Sequence, residues 1–309
     1  MSVSVAAEVP TDLTHDIASF VRGFSIEATR PNASEVQTMA QAAPASTAVY
    51  LSAIPTKPHQ DLIEATIKVR AAGLEPVPHI AARNFATVNE LDDVLGELVS
   101  KARVSRILMI AGDRDTPAGK FRSAIEVIET GLLPSHGIAD IGITGYPEGH
   151  PRISAETLSR ALAAKVEAAA QTGLAVHIVT QFAFSHEPIL LWVRRLRDLG
   201  IDHPVRVGLA GPTSLATLIR YAQRCGVKAS AQGLARQAGL AKHLFGNATP
   251  DAIVGALAQA CSERQLGDVA LHFFSFGGAG ATARWAAAAS AGRITLDGAG
   301  GFRVEPPEA

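Results

Sequence analysis

Ile141-Gly-Ile-Thr-Gly-Tyr-Pro-Glu-Gly-His-Pro151 decides the reading of this chain. A β-favouring run passes directly into a turn stiffened by Pro147 and Pro151, which carries Tyr146, Glu148 and His150. Proline fixes φ on either side of the turn, so the ring and the imidazole are presented at the carboxyl edge of a strand. In a barrel or an open α/β sheet, that edge is where ligands bind.

Working outward, short β-type runs alternate with longer amphipathic ones. The expected strands are Gly23–Ala28, Thr47–Leu51, Glu75–Ile80, Ser105–Ile110, Asp140–Thr144, Ala175–Thr180, Pro204–Gly208 and Val269–Phe274. Between them lie helical patterns such as Asp61–Ala72, Val88–Ala102, Ala155–Gln171 and Pro188–Leu199. Asn32 before Glu35 and Thr87 before Glu90 have capping-box spacing, and Gly73, Gly173 and Gly200 stand where helices should stop. Eight βα units predict an α/β fold, a (β/α)8 TIM barrel. The strands are apolar on both faces, as a sheet covered by helices requires. The helical span Ala231–Arg264 predicts an extra helix between the seventh and eighth strands. The 309 residues are expected to form a single domain, with 1–20 an N-terminal extension and 292–309 a C-terminal tail that extends or frays.

Composition narrows the function. The chain is 47% hydrophobic and 18% charged, with a formal net charge of −1, so nothing global favours nucleic acid or an anionic membrane. The two cysteines, Cys225 and Cys261, form no C-x-x-C motif; a disulfide framework or zinc site is not expected, and a reducing cytoplasm is. No apolar run is long enough to cross a bilayer, and the first residues lack a signal pattern. The ten histidines include no His-x-x-x-His pair, so no metal is expected. Apolar helix faces leave homo-oligomerisation open.

The polar residues keep phase with the strands. Glu27, Ser52, His79, Asp113, Tyr146 with His150, and Gln181 fall in or just after strands one to six. In a barrel, such positions share one face and converge on one pocket. Glu27, in Phe24-Ser-Ile-Glu-Ala, reads either as a structural carboxylate paired with Arg30 or another barrel cation, or as an acid whose pKa is raised at the barrel mouth. Asp113 follows Ala111-Gly112, where a small backbone admits a flat ligand, though a turn-capping aspartate would look the same. His79 reads equally as a buried structural histidine. Gln181 offers an amide to both donor and acceptor edges of a heterocycle. Phe276-Gly-Gly-Ala-Gly-Ala could cradle a phosphate or simply make a tight strand-to-helix turn.

The stretch Tyr146–Pro151 and the Thr180-Gln181-Phe182 segment closely resemble matching segments of the methylenetetrahydrofolate reductase family, and the similarity runs from Phe24 to about Trp285. The resemblance implies a flavoprotein oxidoreductase that uses FAD and NADH or NADPH to interconvert 5,10-methylenetetrahydrofolate and 5-methyltetrahydrofolate. Glu27 would exchange the proton at N10. Asp113 would stabilise the ring-opened pterin, and Gln181 and Ser52 would meet the substrate. His79, Gly112, Asp113, Tyr146, His150 and Lys165 would hold the flavin. The chain departs from the family pattern at Ala111, where an arginine is expected, and at Gly277-Gly278, in place of Asn-Arg at the folate tail. Ser230–Leu234 contains no counterpart of a stacking phenylalanine. These departures keep three alternatives open: oxidation of 5-methyltetrahydrofolate in a demethylation pathway, a flavin barrel resembling proline dehydrogenase, and a folate-binding barrel without turnover.

Overall fold

The computed structural model describes residues 13–225, 247–263, 266–297 and 301–305. Strands β1 (Ser25–Ala28), β2 (Ala48–Leu51), β3 (Glu75–Ala81), β4 (Arg106–Ile110), β5 (Asp140–Gly145), β6 (Ala175–Thr180) and β7 (Val205–Ala210) run parallel in sequence order. After the short pair β8 (Thr213–Ser214) and β9 (Asn247–Ala248), β10 (Val269–Phe274) closes the barrel between β7 and β1. The expected (β/α)8 TIM barrel is therefore present. Each of the eight barrel strands starts and ends within two residues of its expected position.

Helix ends follow the local chemistry. Asn32 accepts from the Glu35 amide while the Glu35 carboxylate accepts from the Asn32 amide, closing a capping box on helix Ala33–Ala42. At helix Val88–Ala102 the box is offset. Thr87 Oγ1 accepts from the Glu90 amide, but the Glu90 carboxylate reaches one residue further back, to the Ala86 amide at 2.6 Å.

Two apolar layers result from strands that are hydrophobic on both sides. The larger lies between sheet and helices. The smaller fills the barrel with Ala48, Tyr50, Val77, Leu108 and Val179. The glycines of the opening stretch serve this packing. A Cβ on Gly142 would lie 2.8 Å from both His177 Nε2 and Leu108 Cδ1, and one on Gly145 would lie 2.5 Å from the Trp192 ring.

Helix Leu13–Val21 buries Ile17, Ala18 and Val21 and packs against helices Asp251–Glu263 and Ala279–Ser290. Between β7 and β10 lie helices Leu215–Cys225 and Asp251–Glu263. Residues 231–246 of the expected helical span, and with them Ser230–Leu234, fall outside the described residues. Near the carboxyl terminus, β11 (Ile294–Leu296) and β12 (Phe302–Val304) pair antiparallel, and the Phe302 ring packs on Trp285. Among the described residues, no helix is long and apolar enough to cross a membrane.

Candidate active site at the carboxyl rim of the barrel

Glu27 occupies the third position of β1, and its side chain is only 16% exposed. Ser52, just beyond β2, donates to Glu27 Oε1 at 2.9 Å. The second oxygen, Oε2, faces two imidazoles, His79 Nε2 at 3.6 Å and His272 Nε2 at 3.5 Å. Neither nitrogen has a hydrogen-bond partner elsewhere, and His272 is fully buried. The alternative in which Arg30 pairs with Glu27 is not realised, because Arg30 bridges to Asp61 at 3.0 Å.

The sequence expectation of a raised Glu27 pKa is corrected by this arrangement. Burial pushes the carboxyl up, but His79, His272 and the Ser52 hydroxyl together outweigh it, so the carboxyl lies below the usual glutamate range. Burial in turn pushes both imidazoles below the usual histidine range, against the attraction of Glu27.

His272 is oriented from behind. Its Nδ1 lies 2.9 Å from Ser25 Oγ, which reaches the Leu271 carbonyl at 3.4 Å. If the hydroxyl donates to that carbonyl, its oxygen accepts from Nδ1–H, and Nε2 of a neutral His272 points a lone pair at Glu27. The pair is satisfied only when one proton lies between the two groups. Sequence reading missed Ser25 and His272. The signal for His272 was the same in-phase placement on β10 that singled out Glu27 on β1, and Ser25 lies two residues before Glu27 on the same strand.

Beneath the cluster, a second hydrogen-bonded series runs through the barrel interior. Arg106 Nε donates to Asp140 Oδ2 at 2.6 Å, and Asp140 Oδ1 holds His177 Nδ1 at 2.7 Å. The carboxylate requires a proton on Nδ1, so Nε2 accepts from the Tyr50 hydroxyl at 2.7 Å. Burial pushes the Tyr50 hydroxyl pKa up to about 12, keeping it a donor. The Tyr50 ring stands edge-on to His272 at 4.7 Å, beneath the acid cluster.

The other expected residues form a second group on the β4–β5 side. Tyr146 and His150 meet edge-to-face at 5.4 Å. The negative charge of Asp113 opposes the lowering of the His79 and His150 pKa values and adds to the raising of Tyr146, so Asp113 is felt by all three. Gly112 holds φ at +94°, and a Cβ there would lie 3.1 Å from the Ala81 side chain. Lys165 is buried and reaches Thr144 Oγ1 at 3.4 Å; burial pushes its amine down to about 8. Glu148 ties the two loops together by accepting from the Phe184 amide at 3.3 Å.

Gln181 sits at the end of β6, with its backbone amide donating to the Gly145 carbonyl. Its side-chain oxygen accepts from the Phe182 amide at 3.0 Å and is paired with neither group. Among the described residues, no cluster of His, Cys, Asp and Glu is placed to hold a metal ion.

A sequence model of the family described as methylenetetrahydrofolate reductase matches residues 27–242, well over half of the chain. The chain belongs to that family. It is 29% identical over 161 residues to methylenetetrahydrofolate reductase 2 of Saccharomyces cerevisiae, covering 49% of this chain and 26% of the yeast protein. It is 27% identical over 157 residues to methylenetetrahydrofolate reductase 1 of Schizosaccharomyces pombe, covering 48% and 25%. The aligned region thus spans about a quarter of the length of these relatives. Among solved structures, the barrel is similar to an uncharacterized protein from Clostridium thermocellum that binds two copies of 5-methyl-5,6,7,8-tetrahydrofolic acid. The TM-score is 0.53 at 10% identity, covering 90% of this chain and 97% of that one. This family member therefore shares its barrel architecture with a protein far removed in sequence.

Proposed function

We propose that this protein is an oxidoreductase that interconverts 5,10-methylenetetrahydrofolate and 5-methyltetrahydrofolate, with FAD as cofactor and NADH or NADPH as electron partner. The observation that carries the proposal is the buried Glu27 carboxylate between the His79 and His272 imidazoles, at the rim where barrel enzymes bind ligands.

The residues on the β4–β5 side fit a flavin. Lys165 is a buried amine that donates to a neutral hydroxyl, which suits an electron-rich ring edge. Gly112 leaves the backbone bare beside Ala81. Gly112, Asp113, Tyr146, His150, His79 and Lys165 would hold the group. When bound, FAD supplies hydride acceptance and donation, and the protein supplies placement and charge.

The chain's own part is proton management. Closing the methylene bridge of the folate releases a proton at N10, and opening it requires one. Glu27 Oε2, with His79 and His272 beside it, can take up or hold that proton, and Ser25 fixes the imidazole that faces it. Ser52 holds the other carboxylate oxygen in place. Asp113 is assigned the stabilisation of positive charge on the opened pterin, and Gln181 and Ser52 the orientation of the substrate.

A second reading concerns direction. Because the carboxyl of Glu27 lies below the usual glutamate range, it is ionised in the free site, the form that takes up the N10 proton when 5-methyltetrahydrofolate is oxidised. An absorbance spectrum of the purified protein, followed by anaerobic titration of separate samples with NADH and with 5-methyltetrahydrofolate, tests both readings. Flavin absorbance bleached by both reagents is expected. Protein that remains colourless after incubation with FAD would remove the flavin from the proposal.

A further inference from the structure

The loop that carries Asp113 is gripped by a single residue outside it. From Ala111 to Ser123, between β4 and helix Ala124–Ile128, the chain forms neither helix nor strand. A connection that long without secondary structure is uncommon in a compact domain and is more often functional than not. Arg83 lies in the short 3-10 turn Ala82–Asn84 that follows β3, and it bonds to this loop at four points. Its amide donates to the Ala111 carbonyl at 2.9 Å, and its carbonyl accepts from the Ala118 amide at 2.9 Å. Its guanidinium donates through Nε to the Arg122 carbonyl at 2.8 Å and through Nη1 to the Arg114 carbonyl at 3.1 Å. Ala111 and Arg114 flank Gly112-Asp113, so Arg83 holds the chain on both sides of the acid.

The remaining contacts leave the near end of the loop dependent on that hold. Phe121 is buried and anchors the far end. Gly119 approaches the next stretch so closely that a Cβ on it would lie 1.9 Å from the Ala86 carbonyl oxygen. Closer to the acid, Asp115 pairs with Arg152 at 3.4 Å, but both side chains are largely exposed, and such pairs contribute little. Asp113 is itself exposed, so its backbone and not side-chain packing sets its position. A planar guanidinium can donate in two directions at once from a fixed fork, which an ammonium on a flexible stem does less well.

We infer that Arg83 is a positioning residue for the proposed reaction. It fixes the backbone of Gly112 and Asp113, and with it the reach of the Asp113 carboxylate toward the substrate, without touching the substrate itself. Misplacement of a charged group by about 1 Å is enough to slow a reaction substantially. The inference rests on the oxidoreductase reading above.

Hydrogen exchange of the full chain, read on the peptide covering residues 111–123, tests the grip independently of turnover. Loss of two charge-assisted bonds in Arg83→Gln should speed exchange there roughly ten- to hundredfold and leave the barrel strands unchanged, with Arg83→Lys in between. Stopped-flow reduction of the bound flavin by 5-methyltetrahydrofolate tests the consequence. The limiting rate of Arg83→Gln should fall about tenfold at a nearly unchanged half-saturating concentration, and Arg83→Lys should recover part of it. In an Asp113→Asn background, Arg83→Gln should change that rate less than about twofold, because it acts only through the acid. Unchanged exchange overturns the grip. Faster exchange with an undiminished rate, or full additivity of the two substitutions, overturns the positioning of Asp113. Wild-type flavin that 5-methyltetrahydrofolate does not reduce overturns the oxidoreductase reading and the inference with it, whatever the exchange shows.

Discussion

Glu27 Oε2 and His272 Nε2 lie 3.5 Å apart at the barrel rim, on adjacent strands, β1 and β10, that close the sheet. Removal of His272 takes away a lowering influence on the carboxyl while burial, which raises it, remains. His272→Phe should therefore move the Glu27 pKa upward. The expected outcome is an acid limb of the pH–rate profile shifted to higher pH; an unshifted limb would separate the two groups functionally.

Glu27→Gln retains the shape of the side chain and the Ser52 contact but cannot exchange a proton. General acid–base catalysis contributes roughly 10²–10⁴-fold. Folate-linked turnover should fall by a factor in that range, while oxidation of NADH by the bound flavin continues. Stopped-flow measurement of each half-reaction checks this, and equal losses in both would contradict a proton-exchange role.

Acid sensitivity follows from the histidines. His79, His177 and His272 all have pKa values lowered by burial in the folded chain. As pH falls through the ordinary histidine value of about 6.5, the unfolded chain binds protons that the folded chain does not. Stability is present above that pH and is lost below it, by up to about 1.4 kcal/mol per pH unit for each such histidine. Urea denaturation between pH 7.5 and 5 should show the midpoint falling. Glu27 and Asp140, both depressed, add a loss that begins lower, as pH falls below the ordinary carboxylate values.

Tyr50→Phe leaves His177 Nε2 buried without its donor. An orphaned buried acceptor costs about 1–3 kcal/mol, which denaturant titration would register. Gly142→Ala acts on the same pair from the other side, because its Cβ would lie 2.8 Å from that nitrogen. It should cost a similar amount by overpacking, about 1–3 kcal/mol. The double variant should cost less than the two single losses combined, since both disturb one contact.

The barrel follows from the residue pattern along the chain. Two-faced apolar strands alternating with amphipathic helices have few packed solutions, and capping residues such as Asn32 fixed where a helix begins. The same periodicity placed Glu27, Ser52, His79, Asp113, Tyr146, His150 and Gln181 in or beyond successive barrel strands, because each lies near a strand's carboxyl end. Tertiary structure alone decided which of them touch. Ser25 and His272 are separated by 247 residues, and Tyr50 and His177 by 127, so no local pattern records their hydrogen bonds. The protonation balance of Glu27 was likewise decided in three dimensions. Burial is readable from an apolar strand, but the imidazoles that reverse its effect come from β3, beyond β2, and from β10, across the closure of the sheet. Charge responds to distance in space, and sequence spacing does not encode that distance once the barrel closes.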